Sequence, residues 1–346
     1  MKMANKVPLP MKTALLILSG LLSLPVMMVL VSSSGDMHVS FSVAAKAIAN
    51  GLGLTHYALS PVEEGVVWQY RMSRALMAAS SGGGLAVCGL VLQSVLRNPL
   101  AEPYLLGISA GASTGAVCIM LLGIGGGIVT VGIGAFTGAC MAFALILLLS
   151  GGIQNNTGRI ILAGIAGTQL FNALTSYIVS TAANAEQSRG VMFWLLGSLS
   201  GVRWPDAILC SIVSLAGLVL VLCYARSLDT FTFGVDISAT LGTRVLFVRI
   251  VLLLITALVT AVIVSSIGAV GFIGLVIPHI TRILVGYRHL ISIPVAFIAG
   301  SHFMIFADLL SRILLSHQVL PVGVVTALVG APVFVIILYR NRGKSL

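Results

Sequence analysis

The segment GFIGLVIPHITR (271–282) brings Pro278, His279 and Arg282 together at the end of an apolar run. An imidazole can bind a metal or move a proton, and a guanidinium binds carboxylate or phosphate groups. No carboxylate or nucleophile lies nearby in the sequence to complete a catalytic set. His279 and Arg282 are three residues apart and share a helix face. We therefore interpret the pair as the anchor of a helix end, with His279 hydrogen-bonded inside the protein.

The composition of the chain excludes a soluble enzyme. An average soluble domain is about 25% charged, whereas this chain of 346 residues is 8% charged and 58% hydrophobic, and its mean hydropathy is +1.11. Apolar runs at 14–31, 244–264 and 320–338 are long enough to cross a hydrocarbon core of about 30 Å as helices. The sequence predicts an all-α polytopic membrane protein.

The hydropathy pattern predicts about ten transmembrane helices in a single domain that comprises residues 1–346. Their expected positions are 12–31, 73–96, 105–122, 127–149, 159–182, 205–224, 244–265, 271–286, 290–312 and 320–338. A shorter apolar segment, 191–201, is expected to be a re-entrant or interfacial helix. The first run has no small-residue cleavage site after it, so it is interpreted as a retained helix rather than a secretory signal.

The distribution of basic residues predicts the orientation of the chain. Ten spans place both termini on one side of the membrane. Of the 19 Lys and Arg residues, the six that fall on the other side are Lys46, Arg71, Arg74, Arg189, Arg203 and Arg312. By the positive-inside rule both termini are expected to be cytoplasmic. The net charge of +10 then reflects orientation and contact with anionic membrane lipid, and nucleic acid is not an expected partner.

The sequence predicts neither a cofactor, a metal site nor a catalytic site. The five cysteines lie far apart without a C-x-x-C pair and are interpreted as packing residues. Most of the 38 glycines are interpreted as small residues that let helices approach closely in lipid. No stretch matches G-x-x-x-x-G-K-[ST], so the chain has no phosphate-binding loop of its own. If ATP drives transport, a partner subunit must hydrolyse it.

Several long motifs resemble one known family. They are QSVLRNPLAEPYLLGISAGA (93–112), FWLLGSLSGVRW (193–204), LDTFTFGVDISATLG (228–242), GAVGFIGLVIPHITR (268–282), FADLLSR (306–312) and LPVGVVTALVGAPVF (320–334). In this order they resemble the permeases that import ferric siderophores, haem and cobalamin with an ATP-binding cassette partner. The resemblance runs from about residue 66 to 340.

The resemblance implies a type II ABC importer permease fold in the bacterial inner (plasma) membrane. In that family two ten-helix permease subunits, identical or different, enclose the translocation path. ATP-binding cassette ATPase subunits bind on the cytoplasmic side, and a periplasmic substrate-binding protein delivers the cargo. A ferric siderophore is the first expected cargo, with haem or cobalamin as alternatives.

The resemblance also implies a docking site for the binding protein. Arg71 and Arg74 in YRMSR match two arginines of the family motif R-L-P-R, although Met72 and Ser73 replace its Leu and Pro. Arg312 matches a third docking arginine. The alternative interpretation is ordinary flanking charge for Arg71 and Arg74, and for Arg312 an intrahelical pair with Asp308, four residues earlier.

The remaining implied sites lie on the cytoplasmic side. Asn98, Leu100 and Thr157 match positions of the family's cytoplasmic gate, although Gly158 replaces a small hydroxyl residue there, and a purely structural turn at Asn98 is the alternative. A loop at about 226–243 is expected to bind the ATPase, since short amphipathic pieces suit a groove on a soluble partner. Its candidate residues are Phe231, Phe233, Gly234, Asp236, Leu241 and Gly242.

A proton- or sodium-driven secondary transporter is the rival class. Such a transporter would place carboxylates at mid-membrane depth. Of the nine acidic residues, eight fall outside the predicted spans. The ninth, Asp308, lies near a span end beside Arg312. The distribution of carboxylates therefore disfavours ion coupling.

Overall fold

The computed structural model describes residues 11–35, 37, 39–151, 157–315 and 318–340. The α-helices in this part of the chain are α1 Met11–Ser33, α2 Phe41–Gly51, α3 Pro61–Glu64, α4 Ser73–Val95, α5 Ile108–Leu122, α6 Val131–Leu149, α7 Thr157–Ala182, α8 Ala185–Leu195, α9 Trp204–Cys223, α10 Ala225–Phe231, α11 Val235–Thr240, α12 Val245–Ile267, α13 Ile273–Val285, α14 His289–Ile313 and α15 Val322–Arg340. A π-helical segment, Gly65–Met72, joins α3 to α4, and a 3₁₀ turn covers Pro103–Leu106.

The ten predicted spans correspond to ten helices of the structure. Within the described residues, seven helical stretches are long and apolar enough to cross a membrane, and α5, α13 and α15 are shorter apolar helices. The all-α polytopic prediction is therefore confirmed, with most helix ends within a few residues of their predicted positions. The second span is the main exception, because helix runs without a break over Pro61–Val95. Sequence reasoning also missed α2.

The short apolar segment was predicted six residues too late in the chain. The helix α8 occupies Ala185–Leu195 rather than 191–201. It begins there because Asn184 and Gln187 form a reciprocal capping box, in which each side chain accepts a hydrogen bond from the other residue's backbone N–H. It ends before Gly197, whose φ of 75° turns the chain away from the helix.

The helix α4 is the buried centre of the bundle. Its close neighbours α13 and α14 approach it through glycines that leave no room for side chains. A Cβ placed on Gly89 would overlap the backbone of Gly274 on α13. Gly82 and Gly300, on α4 and α14, meet in the same way. Small residues allow such backbone contact in lipid, where apolar burial gives no drive for helices to associate.

Contacts along these helices define two faces of the protein. Arg74 and Asp308 meet at one end of the antiparallel pair α4 and α14, and Ser94 and His289 meet at the other. Twenty residues of helix separate Arg74 from Ser94, a rise of about 30 Å. We call the Arg74 end the arginine face and the Ser94 end the loop face, because α10 and α11 lie there.

Candidate functional site at the two faces

The three predicted docking arginines converge on the arginine face. Arg74 Nε lies 2.6 Å from Asp308 Oδ1, and Arg312 Nε lies 3.3 Å from Asp308 Oδ2. The predicted intrahelical pair of Asp308 and Arg312 is thus confirmed. Arg74 also donates to the hydroxyls of Ser200 and Ser311. Asp308 is 1% exposed, so one carboxylate deep in the protein holds two guanidinium groups.

Arg71 and Arg312 also donate hydrogen bonds at the C-terminal end of α1. The Arg71 guanidinium donates to the carbonyl oxygens of Ser32, Ser33 and Met37, and Arg312 donates to those of Val31 and Ser34. The last carbonyls of a helix have no partner within it and carry partial negative charge. The two arginines supply donors and positive charge at that position.

The arginine cluster, defined as Arg71, Arg74, Arg312 and Asp308, lies beneath the surface. Arg71 is 7% exposed and Arg74 is 4% exposed. The three arginines therefore lie close together, as predicted. Their side chains form hydrogen bonds and ion pairs inside the protein rather than lying on an exposed surface. Arg203 follows Ser200 by three residues in the chain and is exposed. Its charge is therefore accessible from outside the protein.

On the loop face, α13 contains a proline, Pro278, in its interior. A proline has no N–H, so the carbonyl of the residue four positions earlier, Gly274, loses its helical partner. The Gln93 side chain of α4 fills this place, with its Nε2 donating to the carbonyls of Gly274 and Leu275 at 3.2 and 3.4 Å. Gln93 Oε1 in turn accepts from Arg282. Arg282 is thus tied to α4 through the amide that repairs the proline break.

His279 has a structural position, as the sequence predicted. Its Nδ1 donates to the carbonyl of Leu275 at 2.8 Å, and its ring packs edge-on against Phe334 of α15 at 5.6 Å between centroids. Among the described residues no group of three or more His, Cys, Asp or Glu side chains has the geometry to hold a metal ion.

A cavity of about 760 Å³ opens on the loop face. The ends of α4, α13 and α15 and the start of α14 surround it. Its lining combines apolar residues with Gln93, Ser94, Arg97, His279, Arg282 and His289. The cavity is therefore basic and lies beside the loop that the sequence assigned to the ATPase.

The predicted gate residues lie at the end of α4 and the start of α7. Asn98 Oδ1 accepts from the backbone N–H of Leu100 at 2.9 Å, which makes the segment after α4 a local turn. This supports the structural interpretation of Asn98. Leu100 is exposed. Thr157 is the first residue of α7, but its side chain lies outside the described part of the structure, so the meeting of the three stays a prediction.

The predicted coupling loop folds into the two short helices α10 and α11. Gly234 and Gly242, which precede and follow α11, have φ values of 109° and 84°, a region that favours glycine. Phe231 is 4% exposed and packs inside the protein, whereas Phe233 is 64% exposed and Leu241 is 62% exposed. Asp236 is exposed in the first turn of α11.

Sequence reasoning missed one member of this apolar surface. Ile237 is 50% exposed and lies four residues before Leu241, so these two share one side of α11 and its C-cap. The exposed Phe233 lies just before the helix, on the other side of Gly234. We call Phe233, Ile237 and Leu241 the loop patch.

A second missed feature is a polar stripe along α7. Gln169, Asn172, Ser176 and Ser180 are all exposed, and their spacing of three, four and four residues places them on one helix side. Polar side chains that face lipid lack hydrogen-bond partners. In a membrane helix of this length such a stripe is expected to face water or another subunit.

Comparison with known proteins agrees with this architecture. The model of the FecCD transport family matches residues 15–340. The chain is 34% identical to the cobalamin import system permease protein BtuC of Halobacterium salinarum, over 91% of this chain and 86% of that one. It is 36% identical to the vitamin B12 import system permease protein BtuC of Escherichia coli O9:H4 (strain HS), over 82% and 86%.

Among solved structures, the fold is similar to an ABC transporter provisionally assigned to the metal-chelate type, in an inward-facing conformation. The TM-score is 0.80 at 26% identity, with 94% of this chain and 98% of that one covered. The ten-helix architecture and these matches define a multi-pass membrane permease of the ABC importer class, with a type II fold. The chain belongs to the FecCD transport family. Permeases of this family work with an ATPase and a binding protein.

Proposed function

We propose that this chain is the permease subunit that forms the translocation path of a type II ABC importer in the bacterial inner membrane. The family match over residues 15–340 carries the proposal. The charge distribution supports it, since Asp308 is the acidic residue buried in a described span and two arginines neutralise it. A carboxylate held in this way is unsuited to exchange protons with a coupling ion gradient.

The experiment that tests this function is uptake by sealed vesicles that contain the permease and its ATPase. We expect uptake to require ATP and to persist when an uncoupler abolishes the proton gradient. Uptake that collapses with the uncoupler and ignores ATP would assign the chain to the ion-coupled transporters.

For the cargo, we propose cobalamin as the first candidate, ahead of a ferric siderophore and haem. The names of the relatives from Halobacterium salinarum and Escherichia coli support this order. The test is a binding titration of the partner periplasmic protein with the three ligands. Selective binding of cobalamin supports the proposal, and selective binding of a ferric siderophore returns that cargo to first place.

We propose that both termini and the loop face are cytoplasmic, and that the arginine face meets the binding protein. The distribution of Lys and Arg supports the orientation. The arginine cluster brings three guanidinium groups together at this face, and the exposed Arg203 adds another positive charge. Charges of this kind chiefly steer encounter and orientation.

Salt dependence and one exposed charge test the docking proposal. Attraction between such charges is screened over about 8 Å at physiological salt, so binding-protein affinity should fall as salt rises. Arg203→Glu should weaken docking, while Lys12→Glu at the start of α1 should not. Equal affinity in both variants, independent of salt, would place the docking surface elsewhere.

We further propose that the polar stripe of α7 faces the path between this subunit and a second permease subunit, identical or different. Its exposed amide side chains support this position. Gln169→Leu and Asn172→Leu should lower uptake at least about tenfold while the complex assembles normally, because they make a water-lined wall apolar. Leu162→Ala on the same helix is the matched control and should leave assembly intact. Unchanged uptake in both amide variants would mean that the stripe faces neither the path nor a partner.

A further inference from the structure

Three residues from separate elements form a continuous hydrogen-bonded chain on the loop face. Asp229 Oδ1, on α10, accepts from His289 Nδ1 at 2.7 Å. His289 Nε2 lies 2.7 Å from the hydroxyl of Ser94, in the last turn of α4. His289 is the first residue of α14 and is 4% exposed. One imidazole therefore connects the loop that carries the loop patch to the central helix of the bundle.

Asp229 is bound to α14 by its backbone as well as by the ring. The N–H of His289 donates to Asp229 Oδ1 at 2.9 Å. This N–H belongs to the first turn of α14, where donors have no partner within the helix and a negative charge is favourable. Burial alone would raise the pKa of Asp229, but the hydrogen bonds from His289 outweigh it, so the pKa lies below its usual value. The carboxylate thus joins α10 to α14 at two points.

The opposite end of the chain reaches the segment that holds the predicted gate. Ser94 Oγ also lies 2.9 Å from the carbonyl of Leu90 and is fixed in the last turn of α4. The turn with Asn98 and Leu100 begins four residues later. Arg97 also lies close to the loop, with Nη1 3.6 Å from the position that a Cβ would occupy on Gly234. The loop therefore approaches the end of α4 at two places.

A Ser–His–Asp arrangement is also the pattern of a hydrolase, but the surroundings of Ser94 exclude that role. A serine nucleophile needs free N–H donors beside it to stabilise an oxyanion. Ser94 lies within the last turn of an α-helix, where the neighbouring N–H groups donate to carbonyls four residues earlier. No oxyanion site is available, so these hydrogen bonds connect α4, α14 and α10 and do not support hydrolysis.

We propose that His289 is a positioning residue that transmits movement of the ATPase-binding loop to the end of α4, through Asp229 on one side and Ser94 on the other. This inference rests on the proposed function of the chain as an importer permease. A histidine at the start of α14 has a rigid ring with one nitrogen for each partner. When the ATPase displaces α10, the ring carries the displacement to Ser94 without a change in the glycine contacts of α4.

Two substitutions separate the halves of this connection. His289→Asn keeps a donor near the position of Nδ1, so it keeps the bond to Asp229 and loses the bond to Ser94. Asp229→Asn nearly preserves shape and weakens the charge-assisted bond to His289. His302→Asn is the matched control, because His302 also lies on α14 and hydrogen-bonds a serine of another helix, Ser23, at 2.8 Å.

Amide hydrogen exchange of the permease–ATPase complex, with and without trapped nucleotide, gives a test that requires no cargo. In the wild type and in His302→Asn, nucleotide should change exchange in both 225–242 and 96–101. In His289→Asn the response of 225–242 should remain and that of 96–101 should disappear. A response of 96–101 that is unchanged in His289→Asn would overturn the proposal, whatever the cargo proves to be.

Uptake of cobalamin by vesicles, counted per ATP hydrolysed, gives the second readout. Ser94→Ala and Asp229→Asn should each lower this ratio at least about fivefold, with normal assembly and ATP hydrolysis. The double variant should be no worse than either single variant, because residues that act as one unit have non-additive effects. Additive losses would indicate two separate structural roles and would overturn the connection. A wild-type complex that takes up no cobalamin contradicts the proposed cargo, while hydrogen exchange still decides the role of His289.

Discussion

Arg74 and Asp308 lie 234 positions apart in the chain, and their side chains, which as side chains alone are 5% and 1% exposed, meet at 2.6 Å. This contact joins α4 to α14 at the arginine face. Removing one partner of a buried pair leaves an uncompensated charge, which costs about 3–5 kcal/mol. The pair therefore fixes how the two helices align, even if the site beside it serves docking.

Asp308→Asn is expected to destabilise the permease by more than Arg74→Gln does. The first change removes the carboxylate from both Arg74 and Arg312, whereas the second leaves Asp308 paired with Arg312. Unfolding of the purified permease in detergent measures the difference, and Arg189→Gln, at an exposed position on α8, is the control. A loss in Asp308→Asn no greater than in the control would show that the network contributes nothing to stability.

Gly89→Ala is expected to lower the melting temperature sharply or to prevent assembly. The added methyl group would overlap the backbone of Gly274, which cannot move aside as a flexible side chain would. Gly65→Ala is the matched helical control, because a Cβ at Gly65 meets nothing within 4 Å. It should be neutral or stabilise by about 0.4–1 kcal/mol. Similar behaviour of both variants would contradict the close approach of α4 and α13.

Phe231→Ser and Phe233→Ser are expected to impair different properties of the permease, its stability in the first variant and its binding to the ATPase in the second. Phe231 is buried, so its loss should destabilise the permease itself, by about 3 kcal/mol or more. Phe233 lies in the exposed loop patch, so its loss should leave the permease stable and weaken ATPase binding by about 1–3 kcal/mol. Melting curves and ATPase co-purification distinguish the two effects. Normal ATPase binding by both Phe233→Ser and Leu241→Ser would remove the loop patch from the interface.

The Asp229–His289 contact predicts a particular dependence of stability on pH. Because the hydrogen bonds of His289 lower the pKa of Asp229 from its ordinary value of 3.8, the charged carboxylate stabilises the folded state. This contribution is complete above about pH 5 and is lost as pH falls through the lowered pKa. The difference in melting temperature between wild type and Asp229→Asn should thus shrink as the pH falls from about 5 to below 3.8. A difference that grows over this acidic range would contradict this sign.

Much of the helix layout was predictable because a membrane span can be recognised from its own residues, without knowledge of its neighbours in the fold. A membrane helix must be apolar over its whole length, so hydropathy alone located ten helices. The α2 helix was missed because its eleven residues are too few to span and mix apolar with polar positions. The extension of α4 back to Pro61 was missed because the π-helical segment carries Gln69 and Arg71, which interrupt the apolar pattern.

The site was less predictable, since it depends on contacts between distant parts of the chain. Resemblance grouped Arg71, Arg74 and Arg312 on one face, and the structure brings them together. Their burial could not be read from the sequence, because it depends on the carbonyl groups at the end of α1. The bond between Gln93 and Gly274 was equally hidden, although Pro278 signalled that one carbonyl of α13 needed a new partner.

The glycine contacts of α4 have a mechanical consequence. Where backbone touches backbone, a helix cannot rotate about its axis or slide past its neighbour without forcing the pair apart. The helices α4, α13 and α14 are therefore expected to move together as a rigid body when the transporter changes conformation. The deformation must then be absorbed outside these three helices, in the connections that join them to the rest of the bundle. A transporter built this way is expected to change shape by tilting α4, α13 and α14 together, without bending any of the three.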